Sequence, residues 1–290
     1  MSGKVAIVAI VRDEKPFLDE WLVYHRLLGI DHFFVYDDEP DLSMAGFLKP
    51  HSQYVTVVPW FERHGHLLGR NRQTKAYIHA LSNGLGSFEW VAYIDVDEFL
   101  LLMRHDNIHE FLSGFDRSVS SVSLAWMMFG HNGFYEDPAG LVTSSLTKRM
   151  GSPSLNGKSI TRCADITSVT NAHWAGVRRG RRVEADGAEF DGRSVTQAAE
   201  IACVNHYHCR SFARWMSRPE RGSVAAVCPG RDWWDSREGC LRQFVTVVAA
   251  KHNEVEDMTM LKYRLDLERE IARIGRSGRV DASPEGYVPG

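Results

Sequence analysis

The stretch Trp90-Val-Ala-Tyr-Ile-Asp-Val-Asp-Glu-Phe-Leu100 holds the residues best suited to chemistry. Large apolar and β-branched residues read as a buried strand, which breaks into Asp95, Asp97 and Glu98 before Phe99 and three leucines. Carboxylates wedged between apolar segments are costly to bury unless a cation meets them. Asp95 and Asp97 are two positions apart, so extended backbone points both the same way. Paired carboxylates at the carboxyl end of a buried strand suit a divalent metal beside a phosphate.

The elements that must position this pair alternate. Val5–Val11 is a short apolar run followed by Arg12, Asp13 and Glu14. Pro16 opens a helix with apolar residues at helical spacing, and Gly29 closes it. Asp31–Tyr36 reads as a second strand ending in Asp37-Asp38, Tyr54–Val58 as a third, and Gly69–Leu81 as a helix. Strand and helix in alternation imply parallel strands with crossover helices and a ligand beyond the carboxyl edge. Neither Gly-x-Gly-x-x-Gly nor a P-loop is present, so a metal must carry the charge of any bound diphosphate.

Beyond residue 104 the pattern changes. It comprises a helix over 107–115, strands over 118–129, 141–149, 158–169 and 201–208, and an excursion over 176–194. A helix runs from Ser211 to Arg221, and a last one over 258–274 precedes a disordered tail, 276–290. Residues 1–275 are expected to form one domain.

Composition is that of a soluble globular protein, with 44% hydrophobic and 24% charged residues. A net charge of -3 gives no general pull toward nucleic acid. The longest strictly apolar run, Val5–Val11, is too short to span a membrane, and the first residues do not read as a secretory signal. Five cysteines without a Cys-x-x-Cys pair fit a cytoplasmic setting.

In order, Val11-Arg-Asp-Glu14, Glu20-Trp21, Tyr24-His25, Gly29–Phe33, Tyr36-Asp37 and Ile94-Asp-Val-Asp-Glu-Phe99 resemble the family 2-like and family 92-like branch of GT-A fold glycosyltransferases. Phe129-Gly130, Lys158-Ser159-Ile160, His173, Asn205-His206-Tyr207 and Arg221-Gly222 are similar to its later landmarks, so the resemblance covers roughly residues 4–265. It implies a Rossmann-like mixed α/β sheet, with 1–104 as a nucleotide-sugar-binding half and 105–275 as an acceptor-side half, and a nucleotide-sugar donor, expected to be a UDP-sugar. Mn²⁺ or Mg²⁺ on the diphosphate would be held by Asp95, Asp97 and His206, and an imidazole ligand favours Mn²⁺. Arg12, Asp37, Arg70 and Asp95 are the implied nucleotide contacts, and Trp126 lies toward the acceptor.

Single displacement with inversion is the implied course, which requires a general base. Glu136 and Asp137 are the candidates, with Asp165 third; His208 is a secondary metal candidate. The acceptor class stays open among glycans, lipid-linked sugars and proteins; a membrane-bound acceptor would be met peripherally at the inner face. Two alternatives stand beside this reading. One is a carbohydrate-binding protein without turnover. The other is a phosphohydrolase using Asp95 as nucleophile, although Phe99 stands where such enzymes carry Thr.

Overall fold

Every residue of Val5–Val11 (β1) is buried, because the strand lies inside a sheet covered on both faces. Its alternate residues feed two cores. Val5, Ile7, Ala9 and Val11 pack with Trp21, Leu22 and Tyr24, and Ala6, Val8 and Ile10 pack with Ala76, Tyr77 and Ala80. The first helix, α1 (Lys15–Leu27), carries Pro16 in its first turn and ends before Gly29, whose φ of 100° suits a residue without Cβ. The computed structural model describes residues 3–61, 72–191, 198–221 and 236–280.

The strands that follow are β2 (His32–Asp37), β3 (Val55–Pro59), β4 (Trp90–Tyr93) and β5 (Glu98–Leu102), with α2 (Arg72–Asn83) preceding β4. After α3 (Ile108–Ser113) come β6 (Val119–Met128), β7 (Gly157–Arg162), β8 (Arg181–Glu184) and β9 (Ala202–His206). Helices α4 (Phe212–Met216), α5 (Arg237–Gln243) and α6 (Arg264–Val280) complete the chain. The main sheet runs β3-β2-β1-β4-β7-β6-β9-β5, with β8 beside β6. Strands β1 to β4 pair in parallel, β7 is antiparallel to β4 and β6, and β5 is antiparallel to β9. The α/β class, with a parallel amino-terminal half inside a mixed sheet, is therefore the one the sequence implied.

Strand β5 ends the sheet, and side chains of α1 satisfy its outer backbone groups. Trp21 Nε1 donates to the Glu98 carbonyl at 2.8 Å, and Tyr24 Oη donates to the Leu100 carbonyl at 2.6 Å. The Leu100 N–H donates to His25 Nε2 at 3.2 Å, so Nδ1 carries the imidazole proton and gives it to the Trp21 carbonyl at 2.8 Å. The Glu20-Trp21 and Tyr24-His25 motifs thus hold structure. Glu20 accepts from the Val142 and Thr143 N–H groups.

Several segments differ from the sequence reading. The 141–149 strand is a helical turn, Val142–Ser145, and a two-residue strand, Lys148–Arg149. The 158–169 strand is interrupted by a 3-10 turn over Cys163–Asp165. Within the 176–194 excursion, β8 pairs in parallel with the first half of β6. The helix expected from Ser211 breaks at Ser217, and Gly222 lies outside the described residues. Helix α6 reaches Val280, so 276–280 belongs to it and not to a disordered tail; the rest of that tail lies outside the described residues. Ion pairs three and four apart, Arg264–Glu268, Asp266–Arg269 and Glu270–Arg273, line the exposed face of its earlier turns.

Candidate active site

Asp95 and Asp97 stand in the tight turn between β4 and β5, at the carboxyl edge of the parallel strands. The turn is locked reciprocally: the Glu98 N–H donates to the Asp95 carbonyl at 3.0 Å, and the Asp95 N–H donates to Glu98 Oε2 at 2.8 Å. Lys158, on β7, reaches Asp95 Oδ2 at 3.1 Å and Glu98 Oε2 at 3.2 Å. Lys158 is the cation that the buried acids required. Burial opposes its charge, but Asp95 and Glu98 outweigh burial and raise its pKa. Burial raises the Glu98 carboxyl in turn, against the pull of Lys158.

The two aspartates do not share one set of neighbours, as extended backbone had implied. Asp95 Oδ1 accepts from Gln73 Nε2 at 2.7 Å while Oδ2 faces Lys158, so protein donors meet both oxygens. Asp97 Oδ2 instead lies 3.6 Å from His206 Nε2. Strand β9 delivers this imidazole by setting His206 opposite Glu98, and the Tyr207 N–H donates to the Asp97 carbonyl at 2.8 Å. Burial raises the Asp97 carboxyl, but His206 and then Arg210 override it and hold the acid well below its usual range. Trp126 packs on His206 with ring centroids 4.5 Å apart, and His208 follows at 5.2 Å.

At the second strand end, Asp37 is consumed structurally. Its oxygens accept from the Glu39 and Met44 N–H groups, each at 3.0 Å. Its neighbour Asp38 is fully buried, 3.1 Å from Arg72 and 3.9 Å from Arg12, and neither oxygen has a well-directed hydrogen bond among the described residues. Arg12 does reach this edge; Arg70 lies outside the described residues. The Asp37-Asp38 doublet signalled the position but not which member faces the arginines.

The expected bases fare differently. Asp137 accepts from Ser211 Oγ at 2.8 Å and Arg214 Nε at 2.7 Å, so it anchors the start of α4. Glu136 is exposed. Asp165 follows β7 at the opposite, amino edge of the sheet, where Ser120 Oγ donates to it at 2.7 Å; antiparallel β7 runs away from the acidic turn, which removes it as a candidate. A cavity of about 1000 Å³ opens at that edge beside Lys4, Glu89, Arg117, Arg162 and Asp165. Glu89 already pairs there with Arg117 and Arg162, and no part of the acidic turn lines it.

Among the described residues, no three His, Cys, Asp or Glu side chains converge as a ready metal cage. A metal on a nucleotide diphosphate needs only one or two protein ligands, because phosphates and water fill its shell. The donors meet that lesser demand. Asp97 and His206, 3.6 Å apart, are the two donors placed to supply such ligands. Without a metal, Asp97 raises the His206 pKa against the effect of burial.

The family model described as Glycosyltransferase family 92 matches residues 8–224. The chain belongs to glycosyltransferase family 92. A family 92 protein of Oryza sativa subsp. japonica is 28% identical over 265 residues, covering 88% of this chain and 41% of that one. Another, of Arabidopsis thaliana, is 24% identical over 254 residues, covering 82% and 40%. The chain thus spans about two fifths of these curated relatives. Among solved structures, glucosyl-3-phosphoglycerate synthase of Mycobacterium tuberculosis is 13% identical with a TM-score of 0.35, covering 68% of this chain and 74% of that one. Mannosyl-3-phosphoglycerate synthase of Rubrobacter xylanophilus is 20% identical with a TM-score of 0.32, covering 43% and 41%. No helix among the described residues is long and apolar enough to cross a membrane.

Proposed function

We propose that this family 92 chain transfers a sugar from a nucleotide sugar, a UDP-sugar, to an acceptor hydroxyl with inversion, in a cytoplasmic setting. The observation that supports the metal-dependent form is the Asp97–His206 pair, whose facing oxygen and nitrogen lie 3.6 Å apart. These two residues would hold a divalent cation, and the imidazole favours Mn²⁺ over Mg²⁺. When bound, the ion serves as a Lewis acid on the departing diphosphate. Asp95, fixed by Lys158 and Gln73, serves better as an oriented acceptor for a ribose or sugar hydroxyl than as a third ligand. Arg12, Asp38 and Arg72 line the nucleotide end. Trp126 walls the acceptor side beside His206 and keeps water from it.

The geometry supports a second reading as well. Asp137 is tied to Ser211 and Arg214, so the chain has no released base at that point, which favours a protein that binds a nucleotide sugar without turnover. Calorimetry with UDP, with and without Mn²⁺, followed by UDP release from a panel of UDP-sugars, decides between them. Mn²⁺-dependent UDP affinity with release supports transfer, affinity without release supports the binding protein, and neither removes the donor site.

A further inference from the structure

Arg210 is the most unusual arginine near this turn. It is only 2% exposed, and its φ of 56° places a non-glycine residue in the left-handed region. The Ser211 N–H closes across it onto the Cys209 carbonyl at 2.7 Å, which makes the turn tight. Such conformations persist where the surroundings over-determine them, and they cluster at ligand clamps. Here the surroundings are Glu14, which accepts from Arg210 Nη1 at 2.5 Å, and Phe17, whose ring lies 3.8 Å beneath the guanidinium. Glu14 and Phe17 follow β1 and Arg210 follows β9, so the contact joins the two halves of the crevice.

This clamp satisfies only one part of the guanidinium. Nε and Nη2 are buried and have no hydrogen-bond partner among the described residues. Leaving two such donors unmet is unfavourable unless an acceptor arrives from outside the chain. The charge also acts directly on Asp97, beside which the diphosphate is placed above. Guanidinium groups match phosphate oxygens in fork geometry.

We propose that Arg210 is a second cationic contact for the donor's diphosphate, giving its Nε and Nη2 hydrogens to oxygens of the β-phosphate as the sugar departs. The inference rests on the donor-site reading above and deepens it. Glu14 and Phe17 are then the residues that position the fork.

The test compares UDP with UMP, which lacks the β-phosphate, by calorimetry on the full chain in Mn²⁺ and in EDTA. Arg210→Met is expected to weaken UDP by about tenfold to hundredfold in either condition and to leave UMP nearly unchanged. Arg210→Lys, which keeps the charge without the fork, falls between. Equal loss of UDP and UMP, or no loss of either, overturns the proposal. If Arg210→Met does not fold, Arg210→Lys decides it. Selective loss of UDP in the lysine variant, with UMP unchanged, supports the contact. Parallel loss of UDP and UMP in that variant shows a mere strut and overturns it. A wild-type chain that does not bind UDP removes the donor site itself, a failure distinct from that of Arg210.

Discussion

Lys158 and Glu98, both fully buried, meet at 3.2 Å although their strands do not pair with each other. The ammonium crosses from β7 to the base of the acidic turn and fixes Asp95 at the same time. Removing one member of a buried pair leaves an uncompensated charge, which commonly costs about 3–5 kcal/mol. Lys158→Met is expected to lose stability on that scale in urea unfolding, and adding Glu98→Gln is expected to restore part of it. Equal stability of the single and double variants would contradict the pairing.

Asp97 and Asp95 are expected to separate by function. Asp97→Asn should abolish the Mn²⁺ dependence of UDP binding, because it removes the carboxylate that faces His206. Asp95→Asn should keep that dependence while lowering affinity or turnover, since its oxygens already face Lys158 and Gln73. Titration of UDP at several Mn²⁺ concentrations reads the difference, and identical behaviour of the two variants would refute the division.

His25 gives a pH signature. Burial lowers its pKa from 6.5 to about 3, and the Trp21 carbonyl only partly offsets this. The unfolded chain therefore takes up a proton near pH 6.5 that the folded chain refuses. The stability is present above that pH and is lost as pH falls toward about 3, with a slope of at most about 1.4 kcal/mol per pH unit. His25→Gln keeps an acceptor for Leu100 and should flatten this part of the stability profile. An unchanged slope counts against the assignment.

Tyr24→Phe removes the hydroxyl bonded to Leu100 and is expected to cost about 1 kcal/mol. Since β5 begins at the acidic turn, the variant also tests whether α1 supports the site, read as weaker UDP binding by a still-folded protein. Unaltered stability would show the bond to be dispensable.

The sequence carried the parallel half of the sheet well, because β1, β2 and β4 are apolar runs with helical segments between them, and the acidic break marked its edge. It also showed that the acids needed a cation. It did not show that Lys158 was that cation, because a contact 63 residues away depends on the antiparallel register of β7 against β4. Asp137, tied to Ser211 and Arg214 at the start of α4, shows a related limit. Carboxylates and aromatic donors that cap helices or strands carry the same letters as those that do chemistry. Arg210 had no sequence signal, since its interest lies in a backbone angle and two unmet donors.

The covering of β5 by Trp21, Tyr24 and His25 also governs how copies of this protein can associate. A terminal strand whose outward carbonyls and amide are already engaged offers no template for another chain's strand. At the far end β3 closes on Pro59, which has no N–H to donate. Strand pairing of another copy along Glu98–Leu100 of β5 is thereby blocked.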